Sequence, residues 1–476
     1  MIKKLFIPFI VFSVFVSGFS CSEKVEDEAL KGETWKAGVS RILITPSELM
    51  WMAGYAARNR PAEGKLVDLW AKALVLEDMD GNRGVLVTTD LIGYEGYYLS
   101  DRIRDRLRSQ FGFTEDRVIL SCSHTHTGPE ILSAPEKYYV IKDSVNEYSS
   151  YHRKKIEEYT YKLEDKIVNL VEAALNSMVE ARVFSGQGNA NFAVNRRNNS
   201  ESSLPPPEQQ KGPLDHSVPV IKVEKTTGGL LAVVFGYACH ATTLSFYQWS
   251  GDYPGFAQLE LESLYPGSTA MFFAGTGADQ NPLPRRTVEL ARHYGASLAG
   301  AVNSVIRQPM QELSSRLTTV AGDVDLDYGR TFPGKEELLQ IMGESSGYPV
   351  YIKRRANILL NQLEDGLSFM PAYPYPLQIW RLGEQTLITM GGEVVVDYSL
   401  KLKEIFGQDI FVMAYANEMM GYIPSERVLN EGGYEASLSG INGIIISRPW
   451  SSGTEARIIN RAKDLANQAG VSIANE

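Results

Sequence analysis

Two of the chain's six histidines stand one residue apart, in Ser121-Cys122-Ser123-His124-Thr125-His126-Thr127-Gly128-Pro129. Apolar Val118-Ile119-Leu120 precedes them and Gly128-Pro129 closes the segment, which reads as a buried strand running into a turn. Residues i and i+2 of a strand share a face, so the spacing predicts that His124 and His126 reach into one space. Neutral imidazole is the commonest protein ligand for zinc, and two such rings make half of a tetrahedral site. A pair of hydrogen-bonded structural histidines has the same spacing, so the pair alone leaves both readings open.

Other segments carry further candidates. His240 ends the apolar run 231–239, and a histidine at a strand's end is placed to enter a cleft or to serve structure. Asp252-Tyr253-Pro254-Gly255 opens a helix and needs no role beyond capping. Phe272 to Pro282 is a strand running into a glycine-rich polar turn that holds Asp279, Gln280 and Asn281. Such turns let backbone N–H groups approach a ligand, but no lysine follows the glycines, so this is not a Walker loop. Glu393, after Gly391-Gly392, is either a carboxylate favouring a helix N-terminus or an oxygen ligand for a metal. Tyr422 and Tyr434 flank Pro424-Ser425-Glu426, where tyrosines commonly serve packing.

The elements that must position these residues alternate along the chain. Apolar runs predict strands at 72–78, 84–90, 117–124, 181–187, 231–240, 269–275, 376–382, 385–391 and 410–416, most of them buried on both faces. Helical periodicity predicts helices at 98–110, 151–178, 254–264, 287–306, 335–343, 350–364, 393–406 and 454–469. Gly383-Glu384 marks a hairpin, 196–216 a long polar loop, and the irregular stretch Pro371–Pro376 a pocket wall. The expected fold is mixed α/β (α+β): buried β-sheets flanked by helices in a single large catalytic domain, 35–476, with site segments converging at strand ends.

Composition limits the partners. A net charge of −10 and a pI near 5.4 argue against nucleic acid. At the N-terminus, Lys3-Lys4 and the apolar Leu5–Val16 read as a signal peptide over 1–20, the apolar run being too short to span a bilayer. Gly18-Phe19-Ser20-Cys21 resembles a lipoprotein cleavage box, which would lipidate Cys21 and leave 21–34 as a polar tether. An ordinary cleaved signal peptide is the alternative. Either way the chain is expected to be exported, to the cell envelope (periplasm or outer membrane), with membrane contact through the anchor. Beyond Cys21 only Cys122 and Cys239 remain, too few for a disulfide framework.

Taken in order, His124 to Pro129, Asn195-Arg196, Cys239-His240, Gly275 to Pro282, Gly392-Glu393, Asn417 through Tyr422, and Tyr434-Glu435 resemble the catalytic domain of the neutral (non-lysosomal) ceramidase family, over roughly 35–445. The resemblance implies one zinc per chain, held by His124, His240, Glu393 and Tyr422. It implies that His126 handles protons, that Arg196 and Tyr434 hold substrate and oxyanion, and that the turn Asp279-Gln280-Asn281 touches substrate. The family's usual serine in that turn is absent, with Gln280 nearest its place. The family's immunoglobulin-like C-terminal domain is not expected here. The implied activity is hydrolysis of an N-acyl amide, a ceramide-like lipid first. A soluble amide, ester or sugar derivative is the alternative substrate, and a non-catalytic surface-binding lipoprotein the alternative class.

Overall fold

Strand Trp70–Glu77 buries both faces: Ala71, Ala73 and Val75 enter one core, and Leu74 and Leu76 another. That period-two division runs through the molecule and sets its layers. The computed structural model describes residues 34–55, 57–133, 149–329, 332–348, 350–367, 371–437 and 450–473. The expected signal peptide, Cys21 and nearly all of the expected tether lie outside the described residues.

Eight strands form the path of the large sheet, in the order Thr269–Ala274, Leu230–Tyr237, Ser217–Lys225, Val179–Asn189, Trp35–Leu43, Trp70–Glu77, Arg83–Thr89 and Val118–Cys122. The two outermost pairings are parallel and the inner ones antiparallel. A second sheet runs Leu317–Asp327, Ala372–Leu382, Gln385–Met390, Phe411–Met413. Its Trp380, Leu387, Phe411 and Met413 share a core with Trp35, Leu86, Ile119, Met271 and Phe273 of the large sheet. Each fully buried side chain of this size contributes about 1.5–3 kcal/mol. The long helix Ser149–Asn176 covers the other face of the large sheet through Ile156, Leu163 and Ile167. Asp252–Leu264 and Val288–Ile306 pack on each other and on the strands at the Thr269–Ala274 end of the large sheet, and Thr454–Gln468 covers the second sheet.

The mixed α/β expectation holds, and most predicted elements lie within a few residues of their observed bounds. Beyond several strands of two or three residues, three long strands were not predicted: Trp35–Leu43, Ser217–Lys225 and Leu317–Asp327. Each mixes polar or charged residues with apolar ones, which breaks the apolar-run signal. Pro371–Pro376 is not a loop wall. Ala372–Leu382 is a strand whose Tyr373 and Tyr375 are buried. The helix expected from Glu393 starts at Asp397. Among the described residues no helix is long and apolar enough to cross a membrane.

What positions the site is the segment 414–417, which joins strand ends of both sheets. The Ala414 N–H donates to the Ala274 carbonyl (2.9 Å), Tyr415 N–H to Gly392 (3.1 Å), Ala416 N–H to Met390 (3.2 Å) and Asn417 N–H to Leu120 (2.6 Å). The Asn417 side chain accepts from Leu120 N–H (2.9 Å) and donates to Gln378 Oε1 (2.9 Å). Tyr415 and Asn417 have φ of 52° and 72°, which bends the chain sharply enough to serve three strands at once.

Candidate metal centre

His124 lies beyond the end of its strand, at φ 56°. Strand alternation is therefore not what aims the two rings, and the predicted strand to residue 124 stops at Cys122. A tight turn does the work instead. Thr125 and Thr127 hydroxyls both donate to the Ser250 carbonyl (2.8 and 2.6 Å), and His126 N–H donates to Ala241 (3.3 Å). The outcome is the one expected for other reasons: His124 Nε2 and His126 Nε2 are 3.2 Å apart. Gly54, at φ 98°, lies flat against His126, where a Cβ would stand 2.6 Å from His126 Cγ. Glycine is needed there both for conformation and for space. The Tyr55 ring packs on His126 at 4.7 Å between centroids.

His240 follows the strand Leu230–Tyr237, and its N–H donates to the Gln280 carbonyl at 3.0 Å. Gly277 presses so closely that a Cβ would lie 2.3 Å from Cys239 N. That approach brings the Gly277 carbonyl to 2.9 Å from His240 Nδ1. Glu393 and Val394 pair in parallel with Tyr422 and Ile423, which sets Glu393 directly opposite Tyr422. Tyr415 packs its ring on His124 at 4.4 Å.

The hydrogen bonding assigns the tautomers. His124 Nδ1 is 2.6 Å from the Ile92 carbonyl, and His240 Nδ1 meets Gly277. A carbonyl only accepts, so each Nδ1 carries a proton and each ring turns its Nε2 to the centre. Those nitrogens face one carboxylate oxygen: Glu393 Oε2 is 3.3 Å from His124 Nε2 and 3.2 Å from His240 Nε2. All three residues are buried. Two imidazole nitrogens and a carboxylate oxygen converging on one buried point are a donor set that suits zinc or a similar divalent ion. The two carbonyl-anchored rings are the outer-sphere arrangement that fixes imidazole ligands. Electrostatics agree. Burial, with nearby Arg196, pushes His240 down to about 4. Burial alone would raise Glu393, but His124 and His240 outweigh it and hold the carboxyl well below its ordinary range. Burial and the neighbouring histidines push His126 well below its usual value. A neutral His240 ring beside an ionised Glu393 carboxylate is the pairing that metal binding requires.

A cationic group flanks this centre. Arg196 donates to Tyr422 Oη (3.1 Å) and to Glu435 (2.8 Å), and its guanidinium lies 5.4 Å from the Tyr434 ring. Tyr422 and Tyr434 meet edge to face at 5.4 Å. Tyr422 is buried, while Tyr434 is 56% exposed and so available to an incoming molecule. Burial and the Glu393 charge raise Tyr422 well above its ordinary range. Ring nitrogens of His124, His126 and His240 all lie within 4.8 Å of one another, so the three histidines form one group to which Glu393 adds oxygen.

The glycine-rich turn divides. Asp279 commits both carboxylate oxygens to the protein, accepting from Val396 N–H (2.9 Å) and Asn195 Nδ2 (3.0 Å). Gln280 donates to the Pro213 carbonyl (3.3 Å), and its buried Oε1 has no partner among the described residues. Asn281 Oδ1 reaches Arg196 Nη1 at 3.5 Å, so of the three it is the one joined to the flanking cation. Cys122 and Cys239 are free thiols, both buried. The Ile92 and Gly277 carbonyls, Gly54, Tyr55 and Tyr415 had not been singled out. Backbone acceptors leave no residue-type signal, and the others act through shape.

Comparison with known proteins identifies the family. The chain matches the family described as neutral/alkaline non-lysosomal ceramidase, N-terminal, over residues 35–279. Neutral ceramidase of Pseudomonas aeruginosa is 26% identical over 472 residues, covering 84% of this chain and 67% of that protein. Neutral ceramidase of Drosophila melanogaster is 26% identical over 343 residues, covering 66% of this chain and 43% of its own. That of Drosophila pseudoobscura is 27% identical over 258 residues, 50% of this chain and 33% of its own, so the chain spans well under half the length of either insect relative. The crystal structure of the Pseudomonas aeruginosa neutral ceramidase superposes with a TM-score of 0.68 at 19% identity, covering 92% of this chain and 75% of that one. A structure titled "Ceramidase complexed with C2" does so at 0.69, also 19% identical, covering 93% and 77%. These two likenesses are of fold. By its family match, and with the centre placed where the ordered motifs meet, the chain belongs to the neutral/alkaline non-lysosomal ceramidase family.

Proposed function

We propose that the chain is a zinc-dependent amidohydrolase that cleaves an N-acyl bond, with a ceramide-like lipid as its substrate class. The observation that carries the reading is the convergence of two carbonyl-anchored imidazoles and a buried carboxylate on one point. His124, His240 and Glu393 would hold the ion, with the Tyr422 phenol as a fourth, weaker ligand. Bound zinc supplies Lewis acidity, bringing a water's pKa to about 7 and polarising an amide carbonyl. His126 Nε2 faces the centre, where it takes the proton of the attacking water and returns it to the leaving nitrogen. Arg196, held by Glu435 and Tyr422, and the exposed Tyr434 donate to the oxygen on which charge develops. Asn281 keeps Arg196 aimed, and Gln280 and Asp279 shape the wall behind it.

The test is hydrolysis of a fluorescent N-acylsphingosine beside a short soluble amide, with metal content measured on the same sample. Release of sphingosine supports the lipid reading. Cleavage of only the soluble amide retains the chemistry and moves the substrate away from lipids. Bound metal with no hydrolysis across an amide and ester panel returns the non-catalytic reading.

The proposal extends to location: export to the cell envelope, with Cys21 lipidated and the catalytic residues held near a membrane. It rests on Lys3-Lys4, the apolar run and the box ending at Cys21. Full-length protein is expected in the membrane fraction and the Cys21→Ser variant in the soluble fraction. Equal partition of the two would remove the anchor from the account.

A further inference from the structure

Glu418 is a buried carboxylate that the proposed reaction does not use. It is 1% exposed, yet it holds three donors: Gly96 N–H (2.8 Å) and Tyr373 Oη (2.8 Å) on Oε1, and Tyr97 N–H (2.6 Å) on Oε2. Gly96 and Tyr97 both stand at positive φ, 75° and 61°, so their N–H groups form a small anion-binding nest that closes on the carboxylate. Burial pushes the carboxyl up to about 8, against the pull of its donors. A methionine like the adjoining Met419 or Met420 would fill the space without that cost.

The loop so pinned is the one that supplies the Ile92 carbonyl to His124 Nδ1. Two more contacts fasten it to the same segment. Met419 N–H donates to the Tyr94 carbonyl (3.1 Å), and Met419 lies so close over Gly93 that a Cβ there would be 2.5 Å from Met419 Cγ. In the other direction, the Glu418 carbonyl accepts from Gly392 N–H (2.8 Å), the residue before Glu393. One residue therefore fixes the support of a ring ligand through its side chain and the approach of the carboxylate ligand through its backbone.

We propose that Glu418 is a positioning residue for the metal centre, setting the orientation of His124 relative to Glu393 through the 92–97 loop. The inference rests on the metal reading above and adds a residue that touches neither ion nor substrate.

Its test uses Co²⁺ as the probe, with affinity from chelator competition, the visible absorption of the bound ion, and thermal unfolding of the metal-free protein. Glu418→Ala should bind Co²⁺ roughly 10–100-fold more weakly, the range for loss of an outer-sphere support, with a changed absorption envelope. Glu418→Gln keeps the acceptor for Gly96 and Tyr373 but turns an amide N–H₂ toward Tyr97 N–H, so it should lie between that variant and the wild type. Tyr373→Phe removes one donor and should shift affinity in the same direction by less. If Glu418→Ala does not fold, the ordering of Glu418→Gln and Tyr373→Phe decides. Folded variants with wild-type Co²⁺ affinity and spectrum would overturn the inference alone. A wild-type chain that binds no Co²⁺ would overturn the metal reading and this inference with it.

Discussion

His124→Ala and Glu393→Ala should each purify nearly free of zinc where the wild-type chain holds about one ion. The expectation follows from the donor count. One carboxylate oxygen lies 3.2 to 3.3 Å from each of the two imidazole nitrogens, and deleting any of the three leaves two strong ligands and a weak phenol. Neither deletion opens the core. Both side chains end at the centre, while the turn that carries His124 is held by the Thr125 and Thr127 hydroxyls on Ser250 and the pairing of Glu393 with Tyr422 by backbone. Loss of metal should therefore come with a folded chain, and turnover should fall to background. Metal analysis by mass spectrometry beside an amide-cleavage assay checks both. Full zinc content and full activity in the His124 variant would sink the metal mechanism.

The second large effect separates proton handling from metal binding. His126→Ala should retain zinc, because the carbonyl anchors of His124 and His240 do not involve it. Its kcat should fall by roughly 10²–10⁴, the usual contribution of a positioned general acid–base group. His126 Nδ1 is buried without a partner among the described residues, and its Nε2 is turned toward the centre. The ring is packed against Gly54 and Tyr55, and its one side-chain hydrogen-bond contact is with His124 Nε2, at the centre itself. A proton gained or lost at Nε2 therefore changes a contact inside the centre and none that holds the surrounding fold. The outcome that refutes this division is loss of zinc with His126. The three-histidine group would then be the ligand set, and the proton role would pass elsewhere.

The flanking groups do not separate the alternative substrates. Arg196 is charged and half-buried, and the interactions with Tyr422 and Glu435 overcome the cost of its desolvation. Arg197 shares Glu435 and also reaches Glu431 (3.0 Å), so the loop at 196–197 is clamped onto the segment that carries Tyr434. That clamp serves any amide or ester whose carbonyl oxygen gains charge, which is why the assay panel, and not the geometry of the centre, separates a lipid from a soluble substrate.

Much of this molecule was legible from residue pattern. The runs 84–90, 269–275 and 385–391 are apolar because those strands are buried on both faces, and the helices at 98–110, 287–306 and 454–469 show the one-sided periodicity of elements that cover a sheet. His124, His126, His240, Glu393 and Tyr422 were picked out through the order of their motifs and the family resemblance that order carries, because read singly each also had a structural explanation. What only the tertiary structure decided is how they meet. His124 turns inward through a positive φ that no strand pattern predicts. Its proton sits on Nδ1 because of the Ile92 carbonyl, and that of His240 because of Gly277. Backbone carbonyls are common to every residue, so their placement depends on contacts hundreds of positions apart, such as Glu418 with Gly96 at a separation of 322. Residue types set which chemistry was possible; the long-range backbone pairings set the distances at which it occurs.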